Sequence, residues 1–169
     1  IINCHAGPLP KYRGGSPLNW QIINNEKYFG ITTIKMNSKI DGGDIINKKM
    51  FYLKNKYNIQ DLHRIANREF PKIVYDSICK IILKKVLKKQ ILPSSYYPQR
   101  TLEDSLLFFK NKTLKEIRNF VRALQKPYPN PFFYYKNKKV SFHKFQVSKT
   151  KINEGSIIFK NNYFLLGCK

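Results

Sequence analysis

The first third of the chain alternates β-branched segments with glycine-rich turns, a pattern typical of strands and short connections. Residues 29–36 (FGITTIKM) are rich in β-branched side chains and predict a strand. A Gly-Gly turn separates them from a second predicted strand at 45–53. Before both, Ser16 is expected to cap a helix that begins at Pro17 and continues for about two turns. This mixture of strands and helix predicts an α/β fold.

The middle of the chain carries apolar residues at helical spacing. Asn58 is expected to cap a helix that continues to about Glu69, where Pro71 breaks or restarts it. Beyond the proline, apolar residues recur at helical intervals with lysines on the opposite side. The predicted buried stripe consists of Val74, Ile78, Ile81, Ile82 and Val86.

The last third predicts a helix followed by short strands. The segment Thr113–Glu116 has the sequence of a capping box and opens the helix. The predicted buried stripe of this helix is Leu114, Ile117, Val121 and Leu124. A hairpin turn is expected at 136–139, and short strands are expected at 156–159 and 163–166.

These elements divide the chain into three segments. Residues 1–92 predict an α/β domain, 93–112 a linker rich in Pro and Ser at its start, and 113–169 a small helix-plus-β module. The chain begins without a methionine, as though a strand were already ending, and it stops where a strand enters a turn. We therefore expect a truncated piece of a larger protein.

Composition narrows the classes of function. Among 169 residues, 32 Lys plus Arg against 10 Asp plus Glu give a net charge of +22. Phosphate contacts require such an excess of cations, so nucleic-acid binding is a hypothesis. However, 26 of the 32 are Lys, accompanied by 20 Ile and 16 Asn, a joint excess that AT-rich codons produce whatever the function. The 42% hydrophobic content excludes a disordered polycation, and no apolar run is long enough to span a membrane.

The three cysteines are Cys4, Cys79 and Cys168. They form no CxxC pair, so neither a disulfide framework nor a zinc site is predicted. A reducing, cytoplasmic compartment is the simplest interpretation. Because Cys4 lies between Asn3 and His5 on a predicted strand, it should point to the opposite side, where we expect it to be buried.

The candidate chemistry is concentrated at the end of the first strand. Asn3-x-His5 precedes a loop rich in Gly and Pro, and open α/β sheets bind ligands at such strand ends. Asn donates amide protons, and His transfers protons near neutral pH. Asp41, in the second Gly-rich turn, would orient the imidazole and raise its pKa if the fold brings the two together. The three residues suit acyl transfer to an amine, with donors holding an oxyanion while a base collects the nucleophile's proton.

Other catalytic motifs do not occur in the sequence. There is no GxSxG, GxGxxG or GxxxxGK segment. No metal is predicted, because His5, His63 and His143 lie far apart without a paired-ligand spacing. His63 and His143 are interpreted as structural. An Asn-x-His pair alone is more often a capped strand end than a catalytic pair.

Residues 3–20 (NCHAGPLPKYRGGSPLNW) resemble the Asn-x-His…Leu-Pro-x-Tyr-Arg-Gly…Pro signature of the folate-dependent formyltransferases. The similarity continues through 30–36 (GITTIKM) to 41–45 (DGGDI), where the family has its Asp-x-Gly motif. A weaker resemblance to the family's C-terminal module covers 100–104 (RTLED), 121–124 (VRAL) and 127–132 (PYPNPF). The resemblance implies the C-terminal part of a Rossmann-like formyltransferase domain, followed by a small β-rich, OB-like module.

The resemblance also implies a reaction and its residues. The formyl donor would be 10-formyltetrahydrofolate and the acceptor a primary amine, with Asn3 and His5 stabilising the tetrahedral oxyanion and Asp41 assisting proton transfer. The implied folate-binding residues are Ile40, Asp41 and Gly42, and the implied substrate-binding residues are Pro10, Arg13 and Gly14. Arg13 has two candidate roles, namely pairing with a ligand's phosphate or carboxylate and tying its loop to the protein body.

The identity of the acceptor is open. Residues 17–20 and 122–129 look more like the sugar-nucleotide N-formyltransferases, so an amino-sugar nucleotide is favoured. The alternative is initiator methionyl-tRNA, for which the positive charge has a direct use. A non-catalytic fragment is a third hypothesis. Family members carry a preceding Rossmann-like half that supplies most of the folate pocket, so we expect these 169 residues alone to be inactive or poorly folded.

Overall fold

The computed structural model describes residues 1–91 and 93–169, which form two compact units, Ile1–Arg100 and Thr101–Lys169. Residue 92, the predicted end of the first domain, lies outside the described residues. Within the described ranges, no helix is both long enough and apolar enough to cross a membrane.

Unit 1 is built on an antiparallel sheet with a long helix against it. Its elements are β1 (Ile2–His5), β2 (Arg13–Gly14), α1 (Pro17–Ile23), β3 (Tyr28–Lys35), β4 (Asp44–Tyr52), α2 (Ile59–Ile82) and β5 (Tyr96–Tyr97). The sheet has the order β1-β3-β4, and α2 contacts β3 and β4. Both strands predicted at 29–36 and 45–53 are confirmed, each displaced by one residue. Phe29, Ile31 and Ile34 of the central strand are buried in the core.

Helix α1 begins at Pro17, as predicted, but Ser16 does not cap it. Ser16 lies in the left-handed region, with φ 47°, and its side chain makes no hydrogen bond to the helix. Its hydroxyl instead accepts a hydrogen bond from the backbone N–H of Arg100 at 3.2 Å. The first turn relies on the proline, whose fixed φ suits the first helical position.

Helix α2 is continuous, so the prediction that Pro71 breaks it is wrong. Its start carries a capping box in which Asn58 accepts from the backbone N–H of Asp61 and the Asp61 carboxylate accepts from that of Asn58. Pro71 removes one hydrogen bond from the helix interior. Ala66 and Ile73, on either side of it, are buried. Packing of both halves against the rest of unit 1 keeps the helix in one piece.

The apolar stripe predicted for the end of α2 is exposed rather than buried. Val86 is 100% exposed and Ile82 is 72% exposed. The buried face of the helix consists of Ile59, Leu62, Ala66, Glu69, Ile73 and Ser77. After Ile82 the chain turns through Lys84, with φ 49°, so Val86 lies beyond the helix. Two sets of residues have helical spacing in this segment. Tertiary packing buries the set that contains Ile73 and leaves the set that contains Val86 exposed.

A buried carboxylate, Glu69, lies on the packed face of α2. It accepts hydrogen bonds from Lys49 of β4 and from Arg68, and its side chain is 6% exposed. The hydrogen bonds from Lys49 and Arg68 lower the pKa of Glu69 to about 2. Glu69 therefore stays charged at neutral pH and links the helix to β4.

Cys4 is exposed, whereas we expected it to be buried. Its Cα is paired with Thr33 of β3, whose side chain is fully buried. The alternation of side chains along β1 is local and predictable, but whether another element covers the Cys4 side is a tertiary property.

Residues 93–100, expected as the start of a linker, pack against the glycine-rich loop of unit 1. β5 pairs in parallel with β2, and the backbone N–H of Gly15 donates to the carbonyl of Tyr97 at 2.8 Å. The rings of Tyr12 and Tyr97 stack with their centroids 4.7 Å apart. This pairing satisfies backbone groups of both segments, and it joins residues more than 80 positions apart. The Pro and Ser content of residues 93–100 therefore did not predict this pairing.

Unit 2 contains a helix and two hairpins. Its elements are a 3-10 turn (Glu103–Ser105), α3 (Leu114–Ala123), β6 (Phe132–Tyr135), β7 (Lys138–Ser141), β8 (Ile157–Lys160) and β9 (Tyr163–Leu166). The predicted capping box is confirmed, because Thr113 accepts from the backbone N–H of Glu116 and the Glu116 carboxylate accepts from that of Thr113. The last two predicted strands are also confirmed as β8 and β9.

The core of unit 2 forms around α3. Ile117 and Val121 cluster with Leu107 and Phe109, whereas Leu114 of the predicted stripe is exposed. The β6–β7 hairpin turns through Lys136–Asn137, both at positive φ, and is tighter than the predicted four-residue turn. A two-residue turn of this kind matches the twist of the strands it joins.

Candidate functional site

Asn3 and His5 lie on the same face of β1, because side chains two positions apart on a strand share a face. Asp41 belongs to the turn between β3 and β4 and has a positive φ of 49°. It contacts both residues, so the turn folds back toward that face of β1. The three candidates span 38 positions from Asn3 to Asp41 in the sequence and are neighbours in the structure.

The carboxylate of Asp41 connects the three residues. Its Oδ1 accepts a hydrogen bond from Asn3 Nδ2 at 3.3 Å. Its Oδ2 accepts from the backbone N–H of Gly14 at 2.9 Å and lies 3.5 Å from His5 Nδ1. The Asn3 amide nitrogen carries two protons, and only one of them can point at Asp41. The other is directed away from the carboxylate.

His5 is buried between two hydrogen-bond acceptors. Its Nε2 lies 2.7 Å from the carbonyl oxygen of Tyr12, and since a carbonyl only accepts, Nε2 carries a proton. In the neutral ring, Nδ1 is then the unprotonated nitrogen and faces Asp41. Burial lowers the pKa of His5, while the Asp41 charge and the Tyr12 carbonyl raise it. The net shift is downward, so our expectation of a raised pKa describes the contribution of Asp41 but not the outcome.

Buried side chains hold the loop that follows β1. The hydroxyl of Thr32 donates to the carbonyl of Gly7 at 2.7 Å. Gln21 of α1 is fully buried and donates to the carbonyl of Ala6 at 3.0 Å. The loop backbone is thereby fixed close to His5 and Asp41, which is a condition for a preorganised site.

Arg13 binds a residue that the sequence did not single out. Its Nε and Nη2 donate to Oε1 of Gln90 at 3.1 and 2.7 Å. Nε2 of Gln90 donates in turn to the carbonyl oxygens of Asp41 and Gly43, both at 2.7 Å. This geometry supports the role of tying the loop to the body, and ligand binding by Arg13 stays a prediction. Gln90 follows a run of lysines, and no sequence signal indicates its place in the site.

Gly14 contributes its backbone N–H to Asp41 from a conformation that favours glycine. Its φ is 92°, and an added Cβ would lie 2.2 Å from the carbonyl oxygen of Tyr97. The residue thus positions the carboxylate of Asp41. Its predicted contact with the substrate stays a prediction.

The other predicted binding residues lie at the turn and on the loop. Ile40 precedes Asp41, and its side chain is 68% exposed. The backbone N–H of Gly42 donates to the carbonyl of Lys39 at 3.1 Å and closes the turn. Pro10 lines a surface groove of about 490 Å³. Ligand contacts at all three positions stay predictions.

The remaining histidines lie outside this cluster. His63 is on α2, where burial lowers its pKa, and His143 is exposed in unit 2. In residues 1–91 and 93–169, no three His, Cys, Asp or Glu side chains are grouped so as to hold a metal ion.

The fold and the site define an α/β protein whose Asn, His and Asp side chains form a centre suited to acyl transfer. Residues 1–78 match the formyl transferase family, and residues 100–169 match the formyl transferase C-terminal domain. The chain belongs to the formyltransferase family, as the signature at 3–20 indicated.

Curated relatives include a bifunctional protein and methionyl-tRNA formyltransferases. The chain is 33% identical to the bifunctional polymyxin resistance protein ArnA of Wigglesworthia glossinidia brevipalpis, over 99% of the chain and 26% of that protein. It is also 33% identical to methionyl-tRNA formyltransferase of Caldanaerobacter subterraneus subsp. tengcongensis, over 99% of the chain and 55% of that protein. The chain therefore spans about half the length of the methionyl-tRNA formyltransferase and about a quarter of ArnA.

Solved structures support the same fold. WlaRD, a sugar 3N-formyl transferase crystallised with dTDP and 5-N-formyl-THF, is 27% identical with a TM-score of 0.75, over 99% of this chain and 61% of that one. An N-formyltransferase from Helicobacter canadensis, in complex with folinic acid and dTDP-3-aminofucose, is 25% identical with a TM-score of 0.69. The match covers 99% of this chain and 62% of that one. Both neighbours carry a formylated folate and a thymidine nucleotide.

Proposed function

We propose that this chain carries the catalytic centre of an enzyme that transfers a formyl group from 10-formyltetrahydrofolate to the primary amine of an amino-sugar nucleotide. The observation that carries the proposal is the contact of the Asp41 carboxylate with Asn3 at 3.3 Å and His5 at 3.5 Å on one face of a strand. Amide transfer requires donors for an oxyanion and a group that accepts a proton, and this cluster supplies both.

Each residue has a distinct part in the proposed mechanism. As the amine attacks the formyl carbon, Asn3 donates its second amide proton to the developing oxyanion. His5, whose Nε2–H is directed at the Tyr12 carbonyl, stabilises the oxyanion through the positive charge that its ring gains on protonation. The Asp41–His5 pair accepts the amine's proton, and uptake at Nδ1 makes an imidazolium between the Asp41 carboxylate and the Tyr12 carbonyl. The pair then returns a proton to the leaving nitrogen of tetrahydrofolate, so it ends in its starting state.

Two acceptors compete within this reaction. The similarity to the two sugar N-formyltransferase structures supports an amino-sugar nucleotide. The similarity to methionyl-tRNA formyltransferases, together with the net charge of +22, supports initiator methionyl-tRNA as the second candidate. Positive charge assists tRNA binding through phosphate contacts, and that contribution weakens with salt.

The decisive experiment is an acceptor comparison with the complete gene product. The enzyme is incubated with 10-formyltetrahydrofolate and UDP-4-amino-4-deoxy-arabinose, dTDP-3-aminofucose or initiator methionyl-tRNA, and formylated product is measured by mass spectrometry. We expect turnover of an amino-sugar nucleotide that is lost in His5→Ala. Turnover of the tRNA alone would select the second acceptor.

Three further outcomes separate the remaining hypotheses. Absence of formyl transfer to every amine, with a folded protein, would favour a non-catalytic member of the family. The 169 residues expressed alone should show little or no turnover, and robust turnover would refute that expectation. Binding of tRNA that weakens steeply with salt and survives His5→Ala would instead indicate a nucleic-acid-binding role without catalysis.

A further inference from the structure

We propose that Gln90 is a positioning residue for the proposed reaction, and that it fixes the turn that presents Asp41 to Asn3 and His5. The inference rests on the proposed function, because it gives Gln90 a role in that same site. It is carried by the contacts of the Gln90 carboxamide with Arg13 on one side and with the turn on the other.

Backbone pairing determines where Gln90 lies. Ile45, at the start of β4, exchanges two backbone hydrogen bonds with Lys88, at 2.8 and 3.0 Å, in an antiparallel bridge. In an antiparallel register, a step of two residues along each strand places residue 90 opposite residue 43. The Gln90 side chain is thus delivered to the turn by the chain that returns from α2.

The carboxamide is oriented by its partners. Oε1 accepts from the guanidinium of Arg13, and Nε2 uses two N–H groups on the carbonyl oxygens of Asp41 and Gly43. A glutamate at this position could accept from Arg13 but could not donate to the carbonyls. The observed partners therefore match both the accepting oxygen and the donating nitrogen of a glutamine side chain.

The turn that Gln90 holds is strained and its catalytic contacts are long. Asp41 has φ 49°, a left-handed conformation that is unfavourable for a residue with a Cβ. Its Oδ1 lies 3.3 Å from Asn3 Nδ2, at the outer limit of hydrogen bonding, and its Oδ2 lies 3.5 Å from His5 Nδ1. A small displacement of the turn would break them, and a misplacement of about 1 Å can lower a rate about 100-fold.

The loop holds Asp41 at two points. The Gly14 N–H binds the carboxylate directly, and Arg13 acts on the backbone carbonyl through Gln90. Two adjacent residues of one loop, Arg13 and Gly14, therefore determine both the position of the turn and the direction of the Asp41 side chain. The hydrogen bonds to Gln90 therefore explain the position of Arg13 without a contact to substrate.

The test compares Gln90→Met, which keeps the length of the side chain without its polar groups, with Gln60→Met on the exposed first turn of α2. In the complete gene product, we expect kcat to fall at least about tenfold in Gln90→Met, with KM for the amine changed less than twofold. The His5 imidazole, titrated by NMR, should have a lower pKa, because the raising effect of Asp41 weakens. Gln60→Met should change neither property.

The outcomes distinguish this inference from the proposed function. Unchanged kcat and unchanged His5 titration in Gln90→Met, while His5→Ala abolishes turnover, would overturn the inference alone. A shifted titration in a protein without formyl transfer would retain the positioning of Asp41 and overturn the function. A double variant with Arg13→Met should lose no more than Gln90→Met. A further rise in KM would instead support direct substrate binding by Arg13.

Discussion

Replacing Gly14 with alanine should disrupt the pairing of the loop with residues 95–97. The new Cβ would lie 2.2 Å from the carbonyl oxygen of Tyr97, a backbone atom that cannot rotate away. Moving the strands apart would break the hydrogen bonds from Arg13 to Ser95 and from Gly15 to Tyr97, at 2.9 and 2.8 Å. The φ of 92° adds strain for any residue with a Cβ.

The magnitude follows from these contributions. Left-handed strain costs about 1 kcal/mol, and two lost backbone hydrogen bonds cost about 1 kcal/mol each, so Gly14→Ala should lower the free energy of unfolding by about 3 kcal/mol. Because the Gly14 N–H also binds Asp41, formyl transfer should fall as well. The measurement is urea denaturation followed by circular dichroism, with comparison of the midpoints at unchanged slope.

Gly155→Ala is the matched control. Gly155 also has a positive φ, 77°, but its added Cβ would meet the flexible side chain of Lys110 at 3.3 Å. This variant should therefore lose only the strain of about 1 kcal/mol. Equal losses in the two variants would refute the reasoning, because the clash with Tyr97 would then contribute nothing.

Three further predictions concern charge and hydrogen bonding. Asp41→Asn should lower kcat about 100-fold or more and move the NMR titration of His5 to lower pH, because the carboxylate that raises the His5 pKa is removed. The pKa of Glu69 is about 2 when folded, below its ordinary 4.5, so its stabilising contribution is complete above about pH 4.5 and is lost as the pH falls toward 2. Glu69→Gln should flatten the pH dependence of the unfolding free energy over that range in acid titrations. Tyr12→Phe should lower the free energy of unfolding by about 1–2 kcal/mol in thermal melts, because the hydroxyl that donates to Glu26 at 2.6 Å is lost while the ring remains.

Local patterns in the sequence determined several elements of unit 1 and unit 2. The strands at 28–35 and 44–52 and the capping boxes at Asn58 and Thr113 follow from neighbouring residues. The shared face of Asn3 and His5 follows from alternation along a strand. Such features depend on contacts within a few positions, so the amino-acid order is sufficient to predict them.

Only the tertiary structure decided which apolar face of α2 is buried and how the site is assembled. Ile73 packs in the core while Val86 is exposed, although both belong to apolar spacings typical of a helix. Gln90 reaches the turn of Asp41 because Lys88 pairs with Ile45, a register between segments 43 positions apart. Long-range pairing depends on how loops close and what covers each surface, and no local pattern encodes it. The sequence therefore identifies the side chains proposed to react, while the fold selects the residues that hold them in place.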